Sequence, residues 1–106
     1  MLVLTRAPSE SLVFDFTRVL TLGSYDSSLA TIYASDTYDA IISTKVDLRW
    51  SRAEEVWTGI WVTFFDRRGS KVPGIRLAIE CDINVLVNRK EFLDAVYPQK
   101  SRLAKP

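Results

Sequence analysis

The sequence predicts a mainly β, single-domain protein with one short helix near its C-terminus. Three observations carry that prediction. The chain has 106 residues, 47% of them apolar, enough for one modest core but not for two. Residues 42–50 alternate strictly: Ile42, Thr44, Val46, Leu48 and Trp50 share one face, and Ser43, Lys45, Asp47 and Arg49 share the other. Such a period of two is the mark of an antiparallel strand with one side in a core. Third, clear helical signals are confined to one segment near the C-terminus.

Taken in order, Leu2–Thr5 and Leu12–Phe16 read as strands around Ala7-Pro8-Ser9-Glu10, and Arg18–Leu22 extends the β pattern to Gly23. Asp26–Tyr33 is ambiguous between strand and helix. The spacing of Leu29, Ile32 and Tyr33 favours a helix there. Ser51-Arg52-Ala53-Glu54 has the spacing of a capping box and predicts a helical turn, with Glu54 and Glu55 as its first-turn charge. Residues 56–65 read as one strand. Val56, Ile60, Val62 and Phe64 lie on one face, and Trp57, Trp61 and Phe65 on a second face that also needs cover. Turn chemistry follows at Asp66–Ser70 and Pro73-Gly74, then short strands at Ile75–Ile79 and Asn84–Val87. The helix is expected from Asn88 as N-cap, with Glu91 three residues on, Phe92, Leu93 and Val96 as its apolar stripe, and Pro98 limiting its length. A loose basic tail is expected from residue 98.

Composition excludes several chemistries. The net charge is +1, with −3 over residues 1–65 and +4 over residues 66–106. That balance argues against a tail that coats nucleic acid indiscriminately, yet permits a local anion-binding surface. There is no histidine, so Ser-His-Asp and Cys-His catalysis and histidine metal ligation are excluded. Cys81 is alone, so no internal disulfide or thiolate cluster forms, and a reducing, cytoplasmic setting is expected. No carboxylate pair is spaced for acid–base work. Neither an enzyme, a metal nor a cofactor is expected. The first residues do not resemble a signal peptide, and no apolar run is long enough to span a membrane.

Two blocks are distinctive together. The first is Met1-Leu-Val-Leu-Thr-Arg6 followed by Ser9-Glu10-Ser11-Leu12; the second is Ile75-Arg-Leu-Ala-Ile79 followed by Val85-Leu-Val-Asn-Arg-Lys-Glu91. Their order and content resemble the carbon storage regulator (CsrA/RsmA) family of small bacterial RNA-binding translational regulators. The resemblance covers about residues 1–14 and 60–97, with an insertion at about 15–59 and the tail at 98–106, all read as one domain. It implies an intertwined homodimer in which the first strand of one chain lies beside the last strand of the other. Two RNA sites would form there, each reading a GGA element in single-stranded or hairpin-loop mRNA. Binding in an mRNA leader would repress translation by blocking ribosome access. A regulatory small RNA or a protein antagonist is the further class of partner it implies.

Position by position, Leu4, Thr5 and Arg6 match the family's first-strand RNA contacts, and Val85, Val87 and Arg89 its last-strand contacts. Asn88 stands where the family commonly has histidine, and an amide still donates and accepts. The chemistry suits the role: extended strands offer backbone groups to the edges of splayed bases, and Arg89 offers a planar, permanently charged fork. Two departures stand out besides Asn88. Cys81-Asp82 replaces Ala-Pro, and with Glu80 it puts two carboxylates beside a phosphate path; Ser9 replaces the glycine of the first turn. Bland alternatives apply to each feature: Arg6 as a surface partner of Glu10 or Glu91, Arg89-Lys90 as a solvated helix start, and the aromatics as core or dimer interface. A protein-interaction or decoy module on the same scaffold, with weakened RNA binding, is the alternative function.

Overall fold

The computed structural model describes residues 1–65 and 74–96. Among the described residues, nine strands and one helix run β1 (Leu2–Arg6), β2 (Ser11–Phe14), β3 (Arg18–Tyr25), β4 (Leu29–Ser35), β5 (Thr44–Arg49), β6 (Glu54–Trp57), β7 (Ile60–Phe65), β8 (Ile75–Glu80), β9 (Val87–Arg89) and α1 (Lys90–Val96). All pairings are antiparallel. One sheet has the order β1-β8-β7-β6 and the other β5-β4-β3-β2-β9. The mainly β expectation with one short C-terminal helix therefore holds.

The two sheets pack face to face. Leu12, Phe14, Leu20, Leu22, Ala30, Ile32 and Leu48 of one sheet meet Ile60, Val62, Phe64, Ile75, Leu77 and Ile79 of the other in one buried cluster. Period two puts these residues inward: every second side chain of β7 is buried, β8 buries Ile75, Leu77 and Ile79 inward with Ala78 also covered on its other face, and the register Val62↔Ile79 and Phe64↔Leu77 aligns the rows. The β2 strand is buried on both faces. Val13, on its outer face, joins Val19 and Leu93 in a second cluster, so α1 lies over the outside of this sheet.

Several local expectations are corrected. Asp26–Tyr33 is not a helix: β4 alternates Ala30, Ile32 and Ala34 inward, while the Asp26 carboxylate accepts the backbone N–H groups of Ser28 and Leu29. Of the Leu29, Ile32 and Tyr33 spacing that favoured a helix, only Ile32 is buried; Leu29 and Tyr33 are exposed. Ser51–Glu54 forms no helical turn. Ser51 adopts φ 61°, its N–H reaches across to the Phe64 carbonyl, and Glu54 starts β6. Residues 56–65 are two strands of a hairpin rather than one strand, broken at Gly59 with φ 79°. A register shift in β6 turns Trp57 inward onto Phe14, their ring centroids 5.1 Å apart, instead of outward with Trp61.

At the remaining ends, β2 stops at Phe14, because Asp15 and Phe16 take positive φ and make the turn. β5 is shorter than the alternation suggested: Ile42 and Trp50 flank it and are exposed. The last strand is Val87–Arg89, not Asn84–Val87, because the Asp82 carbonyl and carboxylate hold residues 82–85 in a turn. Asn88 thus belongs to a strand and is not a helix cap, and Arg89 ends that strand rather than opening the helix. The basic turn 67–71 and the tail lie outside the described residues.

Candidate functional site

A two-sheet sandwich with unclosed edges has two seams, and both are grooved here. At one, β1 faces β9. At the other, the free edges are β5 and β6. Edge strands carry unpaired N–H and C=O groups, so each seam offers backbone chemistry to a ligand.

The β1/β9 seam brings the two resembling blocks together in one chain. Register places Leu2 and Leu4 on the inner face of their sheet, opposite Ile79 and Leu77. Val87 and Arg89 lie on the inner face of the other, opposite Phe14 and Leu12. Leu2, Leu4, Val87, Asn88, Arg89 and Phe92 line a groove of about 330 Å³ between them. A second hollow, of about 220 Å³, shares Leu2 and Val87 with it and continues past Val85 to Cys81, Asp82 and Ile83. Arg89 is exposed, and its guanidinium makes no hydrogen bond or salt bridge to a described residue. The seam therefore runs from a cation at Arg89 to an anion at Asp82.

Not every expected residue faces this groove. Leu4, Val87, Asn88 and Arg89 do, Val85 lines the adjoining hollow, and Thr5 points to the outer face of its sheet. Arg6 is only 4% exposed. Its Nη1 donates to Glu91 Oε1 at 2.8 Å and to the Ser11 carbonyl at 3.3 Å, and its Nε donates to the Thr5 carbonyl at 2.8 Å. Glu10 stands 3.9 Å away. Arg6 thus bridges β1, β2 and α1 and closes one end of the seam. The hydrogen bond from Arg6 is the main reason the Glu91 carboxyl is held below its usual range. Leu2 and Phe92 were not foreseen as site residues. Period two from Leu4 points to Leu2, whereas the sequence assigns Phe92 to an inward helical stripe of which only Leu93 is buried; Phe92 and Val96 are exposed.

Cys81 is partly buried, and desolvation, with Asp15 and Asp82 nearby, raises its thiol above the usual range. A protonated thiol is a poor nucleophile. Among the described residues no group of acidic or thiol side chains is arranged to hold a metal ion, and no helix is long and apolar enough to cross a membrane.

The opposite seam has the larger groove, about 590 Å³, lined by Asp36, Asp39, Ile41, Ile42, Val46 and Trp57 among others. Asp36 accepts the Trp57 indole N–H at 3.0 Å. Hydrogen bonds from the Thr37 hydroxyl and then the Ile41 N–H lower the Asp39 pKa. Two carboxylates and no basic lining residue make this groove unfavourable for phosphates.

Compared with known protein families, characterised proteins and solved structures, the chain matches none of them.

Proposed function

We propose that the protein is a sequence-specific RNA-binding regulator that holds a single-stranded GGA element of an mRNA leader in the β1/β9 seam and represses translation by occupying it. The observation that carries this reading is the seam itself: two unpaired strand edges, an apolar floor and an uncommitted arginine converge there, from the two segments that resemble carbon storage regulators. Strand edges suit the hydrogen-bonding edges of splayed bases, Phe92 and the leucines suit base faces, and Arg89 suits a phosphate or a guanine edge. Arg6 acts in this reading as the brace that sets the seam, not as a contact. The Asp82 carboxylate limits the RNA path at the other end. No chemistry is performed; the mechanism is occupancy, and the setting is the bacterial cytoplasm.

The same reading includes a homodimer. In it β1 of one chain would lie beside β9 of the other; within one chain β1 pairs with β8 and β9 with β2, so these are the pairings around which such an exchange would be built. Exposed Met1, Ile83 and Leu86 near those strands support an assembly there.

The test is a titration with a GGA hairpin and a CCA control at two salt concentrations. Wild-type protein is expected to prefer GGA and to weaken as salt rises. Arg89→Ala should lose about tenfold or more in affinity, the order of one bidentate base or phosphate contact, with unchanged melting and unchanged dimer mass. Equal GGA binding by that variant would remove Arg89 from the site.

A protein-docking module is the second reading, favoured by the opposite seam, where Ile41 and Ile42 are 81% and 83% exposed beside Asp36 and Asp39. It predicts equal, weak binding to both RNAs by the wild type.

A further inference from the structure

We propose that the outer face of the β1-β8-β7 sheet is a stacking platform for the single-stranded RNA that flanks the element in the seam; the proposal rests on the RNA-binding reading above. Because Ile60, Val62, Phe64, Ile75, Leu77 and Ile79 turn into the core, period two turns Trp61, Thr63, Phe65, Arg76, Ala78 and Glu80 outward. The register assembles them in rows with β1. Phe65, Arg76 and Thr5 form one row; Thr63, Ala78 and Val3 form the next; Trp61 and Glu80 form the third.

On this face Trp61, Val3, Arg76 and Glu80 are exposed, while the small Ala78 between them is buried, at 5% exposure. The helix covers the other sheet, through Leu93 on Val13 and Val19. Trp61 is 41% exposed and Val3 51%. The Arg76 guanidinium is exposed and makes no hydrogen bond or salt bridge to a described residue.

The chemistry selects an unpaired nucleic acid strand. Aromatic rings on a sheet stack on bases without regard to sequence, an arginine among them anchors a phosphate, and threonine hydroxyls suit the ribose 2′-OH. Trp61 and Phe65 are four residues apart on one strand, roughly 13 Å by strand rise, so they serve different bases of one passing strand. Charge sets the entry. Arg76 marks one end of the platform, whereas Glu80 and Glu55 lie near Trp61 at the other. Continuity with the seam comes through β1, which shows Leu2 and Leu4 to the groove and Val3 and Thr5 to the outer face. A strand leaving the groove over β1 meets Thr5, Arg76 and Phe65 first.

The experiment compares a minimal GGA hairpin with the same hairpin carrying single-stranded flanks long enough to cross the sheet. Wild-type protein should bind the flanked RNA about tenfold tighter, the order of one or two stacked bases. Trp61→Leu and Arg76→Ala should abolish that gain while leaving the minimal hairpin bound as before, and Trp61→Phe should restore it. Arg89→Ala should weaken both RNAs. Undiminished binding of flanked RNA by Trp61→Leu and Arg76→Ala overturns the platform and leaves the seam standing. A change of oligomer mass in Trp61→Leu with no change in RNA affinity also overturns it, and makes the face a contact between copies. Binding of flanked RNA that needs Trp61 but ignores GGA keeps the platform and removes the sequence-reading seam. Failure of the wild type to bind either RNA overturns both.

Discussion

Ser9 stands where the resembling family has glycine, and it adopts φ 72°, a conformation L side chains take at a cost. Its N–H donates to the Leu22 carbonyl at 2.7 Å, so the turn before β2 is locked to β3 in that geometry. Ser9→Gly should therefore stabilise the protein by about 0.5–1 kcal/mol, the relief of left-handed strain less the entropy glycine loses on folding. Denaturant melts at constant slope would measure it. A lower midpoint would mean the serine side chain contributes more than its backbone costs. Gly74 is the converse case. It has φ 122°, and a Cβ there would lie 2.6 Å from the Arg6 carbonyl, so its backbone is pressed against the strand that carries the seam.

Between elements, the Arg6–Glu91 pair is the tie that holds α1 and β1 together across the seam. Arg6 is buried and Glu91 is half exposed, so the carboxylate keeps part of its hydration while the guanidinium depends on its partners. Glu91 has a depressed pKa in the folded chain, mainly through the hydrogen bond from Arg6. The unfolded chain then binds more protons than the folded one around that range, so stability rises with pH there. The contribution is fully present above pH 4.5, its ordinary value, and is lost as pH falls through the lower folded value. Glu91→Gln should flatten the acid limb of the stability curve below about pH 4.5. An unchanged acid limb would show that the pair carries no net interaction. Helix α1 has a second tie, the Tyr38 hydroxyl donating to Asp94, with Lys90 over the Tyr38 ring. The segment around Tyr38 and the C-terminal helix thus hold one another.

For the whole molecule, the decisive feature is that one core draws on both residues 1–14 with 60–79 and residues 15–59. Leu12, Phe64 and Leu77 come from the former, and Leu22, Ile32 and Leu48 from the latter. Neither sheet has a second apolar face large enough to stand alone, so the sheets should unfold together. Ile32→Ala, in β4, should cost about 2–4 kcal/mol and move tryptophan fluorescence and far-UV circular dichroism transitions equally. Two separated transitions would show residues 15–59 folding as their own unit. The sandwich also explains why two grooves of opposite character coexist. Each seam is lined by whichever residues end its strands: Arg89 at one, Asp36 and Asp39 beside the other.

Alternation, turn residues and the two resembling blocks by themselves determined the mainly β class, most strand positions and the helix, because period two and turn chemistry are local properties. They also singled out Leu4, Val87 and Arg89. The partition into two sheets was beyond them, as were the strand order and the meeting of β1 with β9 along a seam inside one chain, since each depends on pairs far apart in sequence. Arg6 shows the limit most clearly. Its neighbours in sequence suit a surface cation or an RNA contact, and only the approach of Ser11 and Glu91 turns it into a buried brace. Asp26–Ser35 shows the same limit at the level of an element. The spacing of Leu29, Ile32 and Tyr33 suits a helix face, and pairing with β3 and β5 decided for the strand.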